Sequence, residues 1–193
     1  MASRELKDTL SVDEYDIGQT GVIEHHFYTG QHPPIRQALR RHPSPHLQAI
    51  REQTELMMKQ KIIEPSVSGW TSNVVLARKK DNTLRFCMDY RRLNDVSQKD
   101  AYPLPRIDAC LDAMSGACWF STFDLRSGYH RVLMDEESRD KTTFVTGEGT
   151  FRFLIMPLFL TGAPTTFQTL MNVVMSGLNL EVCLIYLDDI ILY

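Results

Sequence analysis

Val182-Cys183-Leu184-Ile185-Tyr186-Leu187-Asp188-Asp189-Ile190-Ile191-Leu192-Tyr193 places two adjacent carboxylates between two apolar runs. Each run is rich in aliphatic residues and too short for a helix, so both read as strands. The acidic pair then belongs to the tight turn of a β-hairpin. Adjacent carboxylates repel, and a sheet buried on both faces is a costly place for them unless a cation compensates. A plain solvated turn is the rival reading, because Asp is a common turn residue.

Working outward, Pro164 opens an expected helix whose Phe167, Leu170, Met171, Val174 and Leu178 share one face. Core packing explains that stripe. Upstream, Thr142 to Met156 reads as a second hairpin turning at Gly147-Glu148-Gly149. Before it, Trp119-Phe120-Ser121-Thr122-Phe123-Asp124-Leu125 reads as a strand carrying one carboxylate. Pro103 and Pro105 precede a short helix with Ile107, Cys110, Leu111 and Met114 at helical spacing, and Gly116 is its natural C-terminal stop.

Further upstream, Asn73–Arg78 and Leu84–Met88 form a third hairpin across Lys80-Asp81-Asn82-Thr83. A helix is expected after Ser44 as N-cap, with Pro45 in its first turn and Leu47, Ile50, Met57 and Met58 on its apolar face. Ile62-Ile63 and Pro65 mark its exit. Residues 1 to about 43 show no sustained period and read as a leader or extended arm. The order of elements predicts an α+β fold, a small antiparallel sheet with helices on one face and the other face free for a ligand.

A length of 193 residues suits one domain, or two subdomains sharing a core. No apolar run reaches the length of a membrane span, and the first residues lack the apolar core of a signal peptide. Cys87, Cys110, Cys118 and Cys183 have no paired spacing and read as small buried residues in a reducing compartment. The net charge of −3 argues against a protein that coats nucleic acid non-specifically. Its distribution is less even: Arg78 to Arg92 holds six basic residues against two acidic ones. A second basic stretch is Arg36-Gln37-Ala38-Leu39-Arg40-Arg41. Either alone reads as a solvated face.

If the strand ending in Asp124 lies beside the acidic hairpin, three carboxylates meet at one sheet edge. Oxygen ligands on a rigid frame suit Mg²⁺, which keeps waters and takes substrate phosphates as its remaining ligands. Two such ions about 3.5–4 Å apart can clamp the attacking and leaving oxygens of an in-line phosphoryl displacement. Lys79 and Arg85 on the basic hairpin could meet a triphosphate as point charge and fork. Tyr129 is placed to stack against a sugar, although core packing explains it equally well.

At these residues the chain resembles the reverse transcriptases of gypsy-type LTR retrotransposons, relatives of the retroviral enzymes. The resemblance runs from about His26 to Tyr193. Its matching stretches are Pro34-Ile35-Arg36-Gln37, Arg78-Lys79-Lys80-Asp81, Arg85-Phe86-Cys87-Met88-Asp89-Tyr90-Arg91-Arg92-Leu93-Asn94 and Tyr102-Pro103-Leu104-Pro105-Arg106-Ile107. Phe123-Asp124-Leu125-Arg126-Ser127-Gly128-Tyr129-His130 and Tyr186-Leu187-Asp188-Asp189 complete the set, in family order.

The resemblance implies a polymerase right-hand fold with fingers at 24–98 and 132–155 and a partial palm at 99–131 and 156–193, after a leader at 1–23. It implies that Asp124, Asp188 and Asp189 are the catalytic, metal-binding triad, with the Leu125 carbonyl as a further ligand of two Mg²⁺ ions, Mn²⁺ being an alternative. Lys79, Arg85, Ser127, Gly128, Tyr129 and Leu158 would bind the nucleotide, with Tyr129 as a steric gate against a ribose 2′-hydroxyl. Tyr186 and Gly162 would meet primer or template. The implied activity is RNA-directed DNA polymerisation, adding a dNTP to a primer 3′-hydroxyl on an RNA or DNA template. No membrane partner is implied, and the implied location is intracellular: cytoplasm, a virus-like particle, or nucleus.

Two departures qualify this. Where the family has Met-Pro-Phe-Gly-Leu-Thr-Asn-Ala-Pro, this chain reads Met156-Pro157-Leu158-Phe159-Leu160-Thr161-Gly162-Ala163-Pro164. Phe159 stands where the family has glycine, and a side chain there disfavours positive φ and fills nucleotide space. The sequence also stops at Tyr193, without thumb, connection or RNase H segments, and holds no Asp-Thr-Gly or Asp-Ser-Gly of a protease. Poor processivity and an exposed apolar palm face are expected. The rivals are an inactive or domesticated relic that at most binds nucleic acid or protein, and a two-metal nuclease, in which the fingers hairpin and the gate would have no role.

Overall fold

The computed structural model describes residues 18–80, 82–100, 105–125 and 127–193. The first seventeen residues of the expected leader, the Pro103 helix start, Asp81 of the hairpin turn and Arg126 lie outside the described residues. Among the described residues the strands fall into three sheets.

The largest sheet joins β2 (Ile63–Pro65), β8 (Gly149–Phe153), β7 (Phe144–Thr146), β3 (Ser72–Arg78) and β4 (Leu84–Asp89), in that order. It is mixed: β3 and β7 run parallel, and the other neighbours antiparallel. Phe144 is completely buried near its centre, with the rings of Phe86, Phe151 and Phe153 at 6.0, 5.8 and 5.4 Å. Clustered aromatics of this kind add specific geometry to the area they bury. On the polar side Arg152 bridges Glu64 and Asp140, each at 2.7 Å.

Helix α1 (Ser44–Lys59) buries Ile50, Thr54 and Met57, spaced four and three residues apart along one face. Its N-cap is Pro43 rather than the expected Ser44, and Ser44 is already helical. The Ser44 side chain makes no capping bond: the first free N–H groups, those of His46 and Leu47, donate to the Pro43 carbonyl at 2.9 and 3.1 Å. Lys61 ends the helix at φ 57°, with Lys61 N–H donating to Met58 and Ile62 N–H to Met57, a Schellman closure. That turn delivers Ile62 and Ile63 into the core and starts β2, a strand too short to show period in the sequence.

A two-stranded parallel pair, β1 (Thr20–His25) with β6 (Val132–Met134), is joined to the chain just after β8 by a bridge between Leu133 and Ile155. It draws residues read as leader into the fold. Two short helices follow the large sheet's hairpin, α2 (Arg91–Val96) and α3 (Ile107–Ala113). The stripe expected on α3 is only partly used: Cys110 is buried, whereas Ile107 and Leu111 are exposed. A further short helix, α4 (Glu136–Arg139), packs near β1 through Ser138, whose hydroxyl meets the Phe27 backbone.

The third sheet orders β5 (Ser121–Asp124), β10 (Asp189–Leu192) and β9 (Cys183–Tyr186). Helix α5 (Ala163–Val174) packs against it with Phe167, Leu170 and Met171 buried, as expected; Val174 and Leu178 remain exposed. β9 is buried throughout its first three residues, while all four residues of β5 are exposed. The expected strand from Trp119 is shorter, starting at Ser121, the last residue paired with β10 (opposite Leu192); Trp119 and Phe120 lie beyond that ladder and are exposed.

Candidate functional site

The β9–β10 hairpin turns through Leu187 and Asp188, with Tyr186 and Asp189 as the closing pair. Asp188 thus sits in the turn and Asp189 opens β10. Asp189 is also the Cα partner of Asp124 at the end of β5. Directly opposed residues of antiparallel strands project to the same face with Cβ atoms about 4.5–5.5 Å apart. The Leu125 N–H donates to the Asp188 carbonyl at 3.3 Å, extending the ladder past the last pair. So the three acidic residues predicted to converge share one end of one sheet. Their side chains are not gathered around a point: among the described residues no three His, Cys, Asp or Glu side chains are close enough to hold a metal together. The donor set still fits a hard divalent cation, being all carboxylate and carbonyl oxygen.

After Asp124 the chain makes a sharp bend. Ser127 takes φ 50°, and Gly128 N–H donates to the Leu125 carbonyl at 3.1 Å. Gly128 is buried against α5: a Cβ added there would lie 2.6 Å from Phe167 Cζ. This close approach brings Tyr129 flat onto the Phe167 ring. Burial, and then the charge of Asp188, push the Tyr129 phenol above its ordinary pKa. The gate candidate and the turn carboxylate are therefore electrostatic neighbours.

Lys79 and Arg85 come from the basic β3–β4 hairpin, whose tip is closed by Lys79 N–H donating to Thr83 at 2.8 Å and by Asn82 at φ 65°. Both line one open groove with Ala77, Arg78 and Lys80. A second hollow brings Lys79 and Arg85 to Ser127 and His130. A third, about 340 Å³, puts Arg85 with Tyr129, Leu158 and Phe159. Arg85 lines all three hollows, and the other nucleotide-binding candidates line one or two of them, Gly128 contributing through packing instead.

Phe159 carries φ 72°, the left-handed conformation for which the glycine of the resembling family is suited. Its ring is half exposed and lines the hollow beside Tyr129. Asn94, from α2, holds this loop from both sides: its Nδ2 donates to the Phe159 carbonyl at 2.8 Å and its Oδ1 accepts Thr161 N–H at 2.9 Å. Gly162, at φ 83°, is the N-cap of α5, where a Cβ would stand 3.3 Å from Asp100 Oδ2. Tyr186 is half buried at the end of β9.

Sequence reasoning did not single out Asn94 or Gln168. Gln168 is completely buried on α5 and donates to the Ile185 carbonyl at 3.3 Å; its Oε1 accepts the Leu187 N–H at 2.8 Å. A signal existed for each. Asn94 ends a matched motif, and Gln168 with Asn172 are polar residues four apart on a mostly apolar helix.

With this geometry in view, residues 77–193 match the family described as reverse transcriptase (RNA-dependent DNA polymerase). The Pol polyprotein of transposon 412 from Drosophila melanogaster is 34% identical over 97% of this chain and 16% of its own length. An RNA-directed DNA polymerase homolog from Oenothera berteroana is 44% identical over 58% of this chain and 78% of its own. Among solved structures, the foamy viral protease-reverse transcriptase in complex with RNA/DNA hybrid superposes with a TM-score of 0.85 at 19% identity, covering 98% of this chain and 26% of that one. The chain spans about a sixth of the transposon polyproteins it matches. Reverse transcriptases in general depend on divalent metal.

Proposed function

This chain belongs to the reverse transcriptase family, of the LTR-retrotransposon type, and from that premise we propose that it is the fingers and partial palm of an RNA-directed DNA polymerase. In this reading residues 24–98 and 132–155 are fingers, and 99–131 and 156–193 palm. The observation that carries the reading is the pairing of Asp124 with Asp189, with Asp188 in the adjoining turn.

The substrates are a primed RNA or DNA template and a deoxynucleoside triphosphate. The primer 3′-hydroxyl gives up its proton to solvent as its oxygen bonds to the α-phosphorus, the bond from that phosphorus to the α,β-bridging oxygen breaks, and pyrophosphate leaves. Asp124, Asp188, Asp189 and the Leu125 carbonyl would hold two Mg²⁺ ions, which supply charge neutralisation and a more acidic 3′-hydroxyl when bound. Lys79 and Arg85 neutralise and orient the triphosphate, and Tyr129 presses on the sugar where a 2′-hydroxyl would sit. Ser127 and Leu158 line the nucleotide, and Tyr186 and Gly162 face primer or template. Positioning and electrostatics do most of the protein's share of the work.

Phe159 favours a second reading, an inactive relic that retains binding alone, because its ring stands in the hollow with Arg85 and Tyr129. Homopolymer-primed extension, with Asp188→Asn as control, separates the two. Incorporation that Asp188→Asn abolishes supports the polymerase. Salt-sensitive binding of a primed template without incorporation supports the relic.

A further inference from the structure

Among the described residues β9 is an edge strand, with β10 on one side and on the other only an isolated bridge from Asn179 to Cys183. Because Leu187 and Asp188 form a two-residue loop, Tyr186 and Asp189 close the hairpin and the ladder alternates from there. Ile185 opposite Ile190 then directs its N–H and C=O away from β10. An edge of that kind is ordinarily left to water or a further strand. At Ile185 two side-chain amides take the strand's place, and a third braces them. Gln168 donates to the Ile185 carbonyl at 3.3 Å, and Asn179 Oδ1 accepts the Ile185 N–H at 3.3 Å. Asn172 joins the two, accepting from Gln168 at 3.2 Å and from Asn179 at 3.3 Å.

The same Gln168 then reaches one step beyond the strand. Its Oε1 accepts the Leu187 N–H at 2.8 Å, inside the turn that presents Asp188. Leu187 is held at φ 57°, a conformation that costs a residue with a Cβ about 1–2 kcal/mol. A strained residue needs an anchor to persist. The amide cannot be turned over without setting its NH₂ against the Leu187 N–H and its oxygen against the Ile185 carbonyl. Gln168 therefore specifies one arrangement of the turn.

We propose that Gln168, braced by Asn172 and Asn179, is a positioning residue: it fixes the Leu187–Asp188 turn from behind so that Asp188 and Asp189 present a divalent-ion site with Asp124. The proposal rests on the reading of those carboxylates as metal ligands. Gln168 itself touches neither metal nor substrate.

Two measurements on the whole chain test it. Hydrogen exchange of the Leu187 amide is followed by NMR, and affinity for Mn²⁺ alone is followed by paramagnetic relaxation. Gln168→Met keeps length and volume but removes both bonds. It is expected to speed Leu187 exchange by about tenfold or more, and to weaken Mn²⁺ binding by about tenfold, the equivalent of one buried hydrogen bond. Should Gln168→Met fail to fold, Gln168→Asn, which keeps the amide but falls a methylene short of Leu187, is read in the same way. A purely structural brace would lower the melting temperature and leave the Mn²⁺ affinity within twofold of wild type; that result overturns the proposal. Asp188→Asn binding Mn²⁺ as tightly as wild type would instead overturn the metal reading. The Leu187 exchange rate then decides by itself whether Gln168 holds the turn, and an unchanged rate refutes it.

Discussion

Tyr129 stacks on Phe167 with ring centroids 4.9 Å apart and planes 19° from parallel. The stack exists because Gly128 has no Cβ to meet Phe167 Cζ at 2.6 Å. Phe167 is fully enclosed by the core, so it cannot swing away to make room. Gly128→Ala is expected to cost about 1–3 kcal/mol through overpacking. It should also tilt Tyr129 away from its present plane. Denaturant unfolding reads the first effect; discrimination between deoxy- and ribonucleoside triphosphates in primer extension reads the second. A variant with wild-type stability would show that the loop bends freely and that the glycine is dispensable.

Phe159 is a bulky residue in left-handed backbone, at a cost of about 1–2 kcal/mol. Replacing it by glycine relieves that strain but frees the unfolded chain, which returns about 0.5–1 kcal/mol of entropy cost. Little burial is lost, because the ring is half exposed. Phe159→Gly should therefore raise the melting temperature by a few degrees at most, about 2–4 °C per kcal/mol at this size. The same change should tighten binding of a fluorescent deoxynucleoside triphosphate and improve extension when introduced into an otherwise complete polymerase. Unaltered nucleotide affinity would dismiss the ring as an obstruction.

The acidic hairpin was legible because a two-residue turn between aliphatic runs needs no partner to be recognised, and β3 and β4 were legible for the same local reason. β1 was not. It pairs in parallel with β6, more than a hundred residues away, and its burial pattern does not alternate. β2, β6 and β7 have three residues each, too few to display a period of two. The apolar residues of β5 and α3 signalled elements correctly but not their exposure, since burial depends on what packs against them. Among the candidate site residues, the carboxylates, Lys79, Arg85 and Tyr129 were singled out by residue type and order. Asn94 and Gln168 escaped because their work is done through backbone atoms of distant segments, which leaves no spacing to read.

His25 offers a test at lower pH. It is completely buried at the end of β1, its Nδ1 sits 2.8 Å from the Thr166 hydroxyl, and its Nε2 has no hydrogen-bond partner among the described residues. Burial, reinforced by the neighbouring His26, lowers its pKa from 6.5 to about 4. The folded chain thus keeps His25 neutral where the unfolded chain would protonate it. Stability is full above about pH 6.5 and is lost as pH falls toward 4, by about 3 kcal/mol from this one group. His130, also lowered by burial, acts in the same direction. His25→Gln, which cannot titrate, should flatten the acid limb of a stability-versus-pH curve measured in urea. An acid limb as steep as wild type would assign the loss to other groups.

The Tyr129 phenol can report on Asp188. Burial is the larger cause of its raised pKa and the Asp188 carboxylate the smaller, so removing the charge should return only part of the shift. Asp188→Asn keeps the shape of the turn while deleting that negative charge. The Tyr129 phenol, followed by NMR with labelled tyrosine, is expected to titrate at lower pH in Asp188→Asn than in wild type, yet still above a free tyrosine. A divalent cation added to the wild-type chain should have the same sign of effect, because positive charge beside Asp188 favours the phenolate. Asp188→Asn should abolish that response. If the phenol ignores both the substitution and the cation, Asp188 points away from Tyr129, and the gate and the carboxylate turn do not share one site.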